Sequence, residues 1–153
     1  MKPFRFSLDS VLRLREEGVE RAKDQLAVEM VQLNQVKQKV DHVNDRIEQA
    51  RDAFRESMSN GSDSGLVVQL RQFMVSLENE RQSRAMTLEG HQVRVETCRK
   101  GLVSTRRKVD TIESIRKRRL KEHEIKERQE AQKETDELVI QGFANGVGMK
   151  YAG

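Results

Sequence analysis

The sequence predicts an all-α fold: a long antiparallel two-helix coiled coil, or helical hairpin, whose C-terminal helix overhangs its partner. Three observations carry that expectation. Apolar residues recur at seven-residue spacing, one cluster of turn-forming residues interrupts them near the middle, and Pro occurs once in 153 residues. Only 35% of the residues are hydrophobic and 4% aromatic. That is too little apolar material for a compact core of this length, but enough for helices that touch along a stripe. One elongated domain is expected over residues 1–153.

The first helix is expected over about residues 7–57. Its opening, FRFSLDSVLRLREE, is no secretory signal, because Asp9, Ser10, Arg13 and Arg15 break the apolar run that a signal needs. Ser7 is placed to cap a helix, Asp9 sits at the positive end of its dipole, and Phe6 and Val11 hold the positions of a hydrophobic staple. Stepping by seven from Leu12 gives Val19, Leu26, Leu33, Val40, Ile47 and Phe54; the companion series is Leu8, Arg15, Ala22, Glu29, Val36, Val43, Ala50 and Ser57. A heptad held for about 50 residues is a coiled-coil seam, roughly 75 Å long.

The turn is expected at 58–65, within SMSNGSDSG, with the chain folding back at Gly61 and Asp63 or Ser64 capping the next helix. That helix is expected over about 66–140. Its seam reads Val67, Met74, Arg81, Leu88, Val95, Leu102 and Val109, with Leu70, Leu77, Arg84, His91, Cys98, Thr105 and Ile112 beside it. Arg81, Arg84 and His91 make a polar patch there. A short connection sets the arms antiparallel, so the first helix is used up at about Ile115 and the rest of the second has no partner. Same-face pairs such as Glu122 with Lys126 and Glu124 with Arg128 favour continued helix. Gly142, Gly146 and Gly148 are expected to end it, leaving a flexible tail over 141–153.

Charge is uneven along the chain. Residues 106–121 carry eight basic and two acidic side chains, net +6, and residues 122–137 carry three basic and seven acidic, net −4. The basic block reads as a surface for an acidic protein, as a solvated helix face, or as a phosphate-binding patch. It lacks an aromatic residue for base stacking, and the acidic run after it repels phosphate. No nucleic acid is therefore expected as a partner, although a nucleic-acid-binding helical hairpin stands as the alternative from another class.

Catalysis is not expected. His42, His91 and His123 are far apart and form no ligand cluster, the single Cys98 sits at a seam position, and NGSDSG lacks the Lys and spacing of a phosphate loop. Neither a metal nor a cofactor is expected. No apolar run approaches the roughly 20 residues that span a bilayer. In QFMVSL, Met74 and Leu77 lie on the seam while Phe73 flanks it, and Phe73, Leu77, Glu80 and Arg84 follow helical spacing along one stripe. Phe73 there either shields the seam or anchors a partner.

These residues resemble the flagellar export protein FliJ family. FRFSLDSVLRLREEGVERAKDQLA resembles the start of the family, RQFMVSLENERQ its Gln-Phe-x-x-x-Leu segment after the turn, and QKETDELV its Lys-x-x-Asp-Glu-aliphatic signature near the C-terminus. The resemblance implies a non-catalytic component of the flagellar type III export apparatus, folded like the stalk of rotary ATPases. It implies a cytoplasmic protein, peripherally associated with the inner-membrane export apparatus. Its implied partners are the hexameric export ATPase FliI, the export gate protein FlhA and flagellar export chaperones. The family's gate-contacting Phe and Leu carry over to Phe73 and Leu77, with Glu80 and Arg84 further along the stripe departing from the family pattern. Phe4, Phe6, Arg116, Arg118 and Arg119 are the expected contacts with the ATPase ring, by charge and by their place at the hairpin's open end. The stalk of a virulence type III secretion system is the nearer alternative.

Overall fold

Heptads on two arms separated by one cluster of breakers leave the chain a single place to reverse. The computed structural model describes residues 2–61 and 63–151, in which α1 (Asp9–Ser59) and α2 (Ser64–Tyr151) are antiparallel neighbours in a helical hairpin coiled coil. The chain divides into two compact units, Glu17–Arg106 and Met1–Glu16 with Arg107–Gly153, and both helices contribute to each.

The turn closes as its residues dictate. The Asn60 N–H and the Ser59 hydroxyl both donate to the Glu56 carbonyl, each at 3.0 Å, satisfying an acceptor that the helix end leaves open. Gly61 then takes a left-handed φ of 65°, the conformation in which glycine avoids the Cβ penalty. Asp63 starts α2: its carbonyl accepts from the Val67 N–H at 3.2 Å and its carboxylate from the Gly65 N–H at 3.4 Å. A Cβ on Gly61 would meet nothing within 4 Å, so Gly61→Ala isolates the backbone term. It is expected to cost about 1 kcal/mol in urea denaturation with the seam unchanged.

In the unit Glu17–Arg106, burial follows the heptads. Val43 and Leu77 are each 1% exposed and form the core with Ile47 and Ala50, against which Met74 packs; Val95 is buried further along α2. Gly18 lies against Thr105, with 3.6 Å from the position of its missing Cβ to the Thr105 Cγ2, which marks the pairing register. Leu26, Leu33, Val36 and Val40 are only half-buried, because a helix with one neighbour covers its seam from one side.

The other unit holds the start of α1 against α2. Leu12 and Val109 are buried there, and Leu8, Ile112 and Ile115 half-buried. The helix starts at Asp9, two residues later than about residue 7, and Ser7 is not its cap. The Asp9 N–H donates to the Phe6 carbonyl at 3.2 Å, and the Ser7 hydroxyl instead accepts from Arg119 at 2.6 Å. A tertiary donor has taken the oxygen that the local cap would have used.

Two further expectations about α2 are corrected. Residues 2–8 reach beyond the start of α1 and lie on α2, so His123 and Glu127 are half-buried and the overhang starts near residue 128, not near 115. The helix also continues past the expected end at 140, through Gly142, Gly146 and Gly148 to Tyr151. Isolated glycines cost about 1 kcal/mol each in a helix and do not break its hydrogen bonds as Pro does. Residues 152 and 153 of the expected tail lie outside the described residues. Among the described residues, no helix is long and apolar enough to cross a membrane.

Candidate functional site

Two surfaces gather the residues that the sequence singles out, one in each unit. In the unit Met1–Glu16 with Arg107–Gly153, the non-helical N-terminal residues are fixed to α2 by two aromatic contacts. The Phe4 ring meets His123 edge-on, with centroids 5.6 Å apart and planes at 63°, a favoured aromatic geometry. The Arg119 guanidinium lies 5.8 Å from the centroid of Phe6 while its Nη1 donates to the Ser7 hydroxyl. His123 in turn has its Nδ1 3.8 Å from a Glu127 carboxylate oxygen.

Arg119 is therefore engaged within the chain, as are Phe4 and Phe6, both half-buried. Arg116 and Arg118, with Lys117 between them, are exposed as Arg119 is, but among the described residues they make no side-chain hydrogen bond or ion pair. The five residues expected at the ATPase ring do come together, but they divide into an internal anchor and a free basic edge.

The second surface lies in the unit Glu17–Arg106. Phe73 is 46% exposed, and the Arg46 guanidinium sits 6.0 Å from its ring centroid. Arg46 Nη1 also donates to Glu80 at 3.3 Å, and the other Glu80 oxygen accepts from Arg84 Nε at 3.1 Å. Arg46, Glu80 and Arg84 border an open groove of about 370 Å³ that also includes Gln35, Lys39 and His42. Leu77 stands apart from them. It points into the core, so the stripe offers a partner Phe73 and the Arg46, Glu80 and Arg84 network, while Leu77 is inaccessible without parting the helices.

The polar patch in the α2 seam is partly satisfied. Arg81 hydrogen-bonds Glu78, with its Nε 3.0 Å from the carboxylate oxygen. That bond, reinforced by the charges of Arg81 and Arg51, holds the Glu78 carboxyl below the usual carboxylate range, and Glu78 raises the Arg81 guanidinium in return. Any stability from this pair is present above the ordinary carboxylate range and is lost as pH falls through the lowered value. Solvent screens it, since the Arg81 and Glu78 side chains are 42% and 41% exposed. Glu29 Oε2 and His91 Nδ1 are buried in the same seam without partners.

Sequence reasoning missed Arg46, weighed His123 only as a metal ligand and read Ser7 only as a helix cap. A signal existed for two of them. His123 lies fourteen residues beyond the seam residue Val109, and Arg46 and Glu80 both flank seam residues, Ile47 and Arg81, the positions from which coiled coils form charge pairs across the interface. Ser7 had no such signal, because its role depends on a donor 112 residues away. Among the described residues, no three His, Cys, Asp or Glu side chains converge to hold a metal ion.

Comparison with solved structures finds a protein described as a YscO homolog, CT670 from Chlamydia trachomatis. It is 19% identical, with a TM-score of 0.56 over 89% of this chain and 93% of that one. The likeness extends to the fold. A comparison with curated proteins finds no match. The family described as "Flagellar FliJ protein" matches residues 4–148, a span that takes in the anchored N-terminal aromatics, both seams, the turn and most of the overhang. The chain belongs to the flagellar FliJ protein family.

Proposed function

We propose that the protein is a non-catalytic, stalk-like component of the flagellar type III export apparatus. In this reading, the basic edge of the unit Met1–Glu16 with Arg107–Gly153 meets acidic loops of the hexameric export ATPase FliI. The exposed Phe73 surface meets the export gate protein FlhA, and export chaperones are further partners. The reading rests on one observation above the rest: Phe4 and Phe6 are pinned to α2 while Arg116, Lys117 and Arg118 remain exposed. A fixed helical end with free positive charge suits docking against a ring, where clustered charge speeds and orients association.

The test is to titrate the full chain into the purified ATPase at about 50 and 200 mM salt, following co-elution and ATP turnover. Association and stimulated turnover are expected, both weaker at the higher salt because exposed charges are screened within about 10 Å. Absence of co-elution together with unchanged turnover at both salt concentrations would overturn the reading. Labelled duplex DNA provides the control for the alternative, and a steep salt slope of its binding would favour nucleic acid.

A further inference from the structure

The end of α2 changes character where no described residue covers it. Every described residue from 128 to 146 is exposed. The register that faces α1 earlier in the helix reads Glu130, Lys133 and Glu137 here and then turns apolar at Ile140 and Ala144. Leu138 is 68% exposed, Val139 63%, Ile140 66% and Phe143 76%. Single exposed hydrophobics are ordinary, but four within six helical residues form a patch of the kind that marks an interaction site. Ile140, Phe143 and Ala144 follow i, i+3, i+4 spacing, the pattern with which a helix lies in a groove.

We infer that residues 138–146 form a docking helix that inserts into an apolar groove rimmed by Lys and Arg on a partner protein. The rim follows from charge: residues 130–137 carry four carboxylates, Glu130, Glu134, Asp136 and Glu137, against Lys133, net −3. The same charge disfavours a membrane, since interfacial helices bind anionic lipid through Lys and Arg on their polar face. A second copy is disfavoured by area. Nine helical residues span only about 14 Å, and two such ends side by side fall well short of the roughly 800 Å² per partner of a stable interface. A concave partner covers both flanks of one helix and makes up the difference. This docking uses neither surface of the proposed function and stands apart from it.

The experiment places the photo-crosslinker p-benzoylphenylalanine at position 143 of the full chain, in cells, and maps the adduct by peptide mass spectrometry. The expected result is an adduct within an apolar groove bordered by Lys or Arg. Its yield should fall about tenfold with Ile140→Asp, the loss of a central anchor, and about threefold with Glu134→Lys combined with Glu137→Lys. Ile140 is exposed, so far-UV circular dichroism and the thermal midpoint should not move. An adduct with a second copy, a yield no higher than with the probe at Gln129, or a yield indifferent to Ile140→Asp would overturn the inference. So would co-sedimentation with phosphatidylglycerol and phosphatidylethanolamine vesicles that Ile140→Asp abolishes.

Discussion

Leu77→Ala is expected to lower the unfolding free energy by about 3 kcal/mol, within the range for truncating a buried Leu. Leu77 is 1% exposed and is held by Val43, Ile47, Ala50 and Met74. A two-helix seam has no third layer that could close over the missing atoms. Phe73→Ala, four residues earlier, is expected to cost less than about 1 kcal/mol, since it removes a half-exposed ring and its contact with Arg46. Urea denaturation followed by circular dichroism measures both. The proposed binding to the export gate should separate the two variants differently. Phe73→Ala should weaken it about tenfold in a protein as stable as the parent, whereas any loss in Leu77→Ala should track the fraction unfolded and recover under stabilising conditions. A fully stable Leu77→Ala protein that no longer bound the gate would show that Leu77 itself faces the partner.

Reversing Arg116 and Arg118 to Glu is expected to reduce the proposed stimulation of the export ATPase about tenfold at about 50 mM salt and much less at 200 mM, because exposed charges act mainly through screened, longer-range attraction. The thermal midpoint should stay where it is, both side chains being exposed. Arg119→Glu should behave otherwise. It removes the donor to Ser7 and the cation over Phe6, so the N-terminal residues should detach from α2, with increased amide exchange at residues 2–8. Its effect on turnover should persist at high salt, since it acts through position and packing. Equal salt sensitivity in the Arg116/Arg118 and Arg119 variants would count against the division into free edge and anchor.

The hairpin was largely legible in the amino-acid sequence because coiled-coil physics is periodic. An unbroken apolar step of seven from Leu12 to Phe54 and the cluster around Gly61 leave few other ways to bury the stripe. The seam residues from Val19 onward are buried or half-buried accordingly, even at Glu29 and His91. The stops of the helices were less legible. Glycines near 140 read as terminators, yet each weakens a helix by too little to stop one that is otherwise uninterrupted.

The candidate surfaces were legible as residues but not as roles. Periodicity put Phe73, Leu77, Glu80 and Arg84 on one stripe, but a stripe about 100° wide includes both core and rim, and packing sorted Leu77 inward and Phe73 outward. Composition showed a basic block at 106–121 without separating Arg119 from Arg116 and Arg118. That separation came from the non-helical residues 2–8, whose path along α2 no local rule sets.

Local order along the chain therefore accounts for the two helices, their seam and the place where they reverse, since heptads, caps and glycine φ preferences act over a few residues. Contacts between segments far apart in sequence account for the rest: Ser7 given to Arg119, Phe4 set on His123, Arg46 shared between Phe73 and Glu80. Each depends on the register in which antiparallel arms meet. That register is the sum of many weak seam contacts and is not encoded at any one of them.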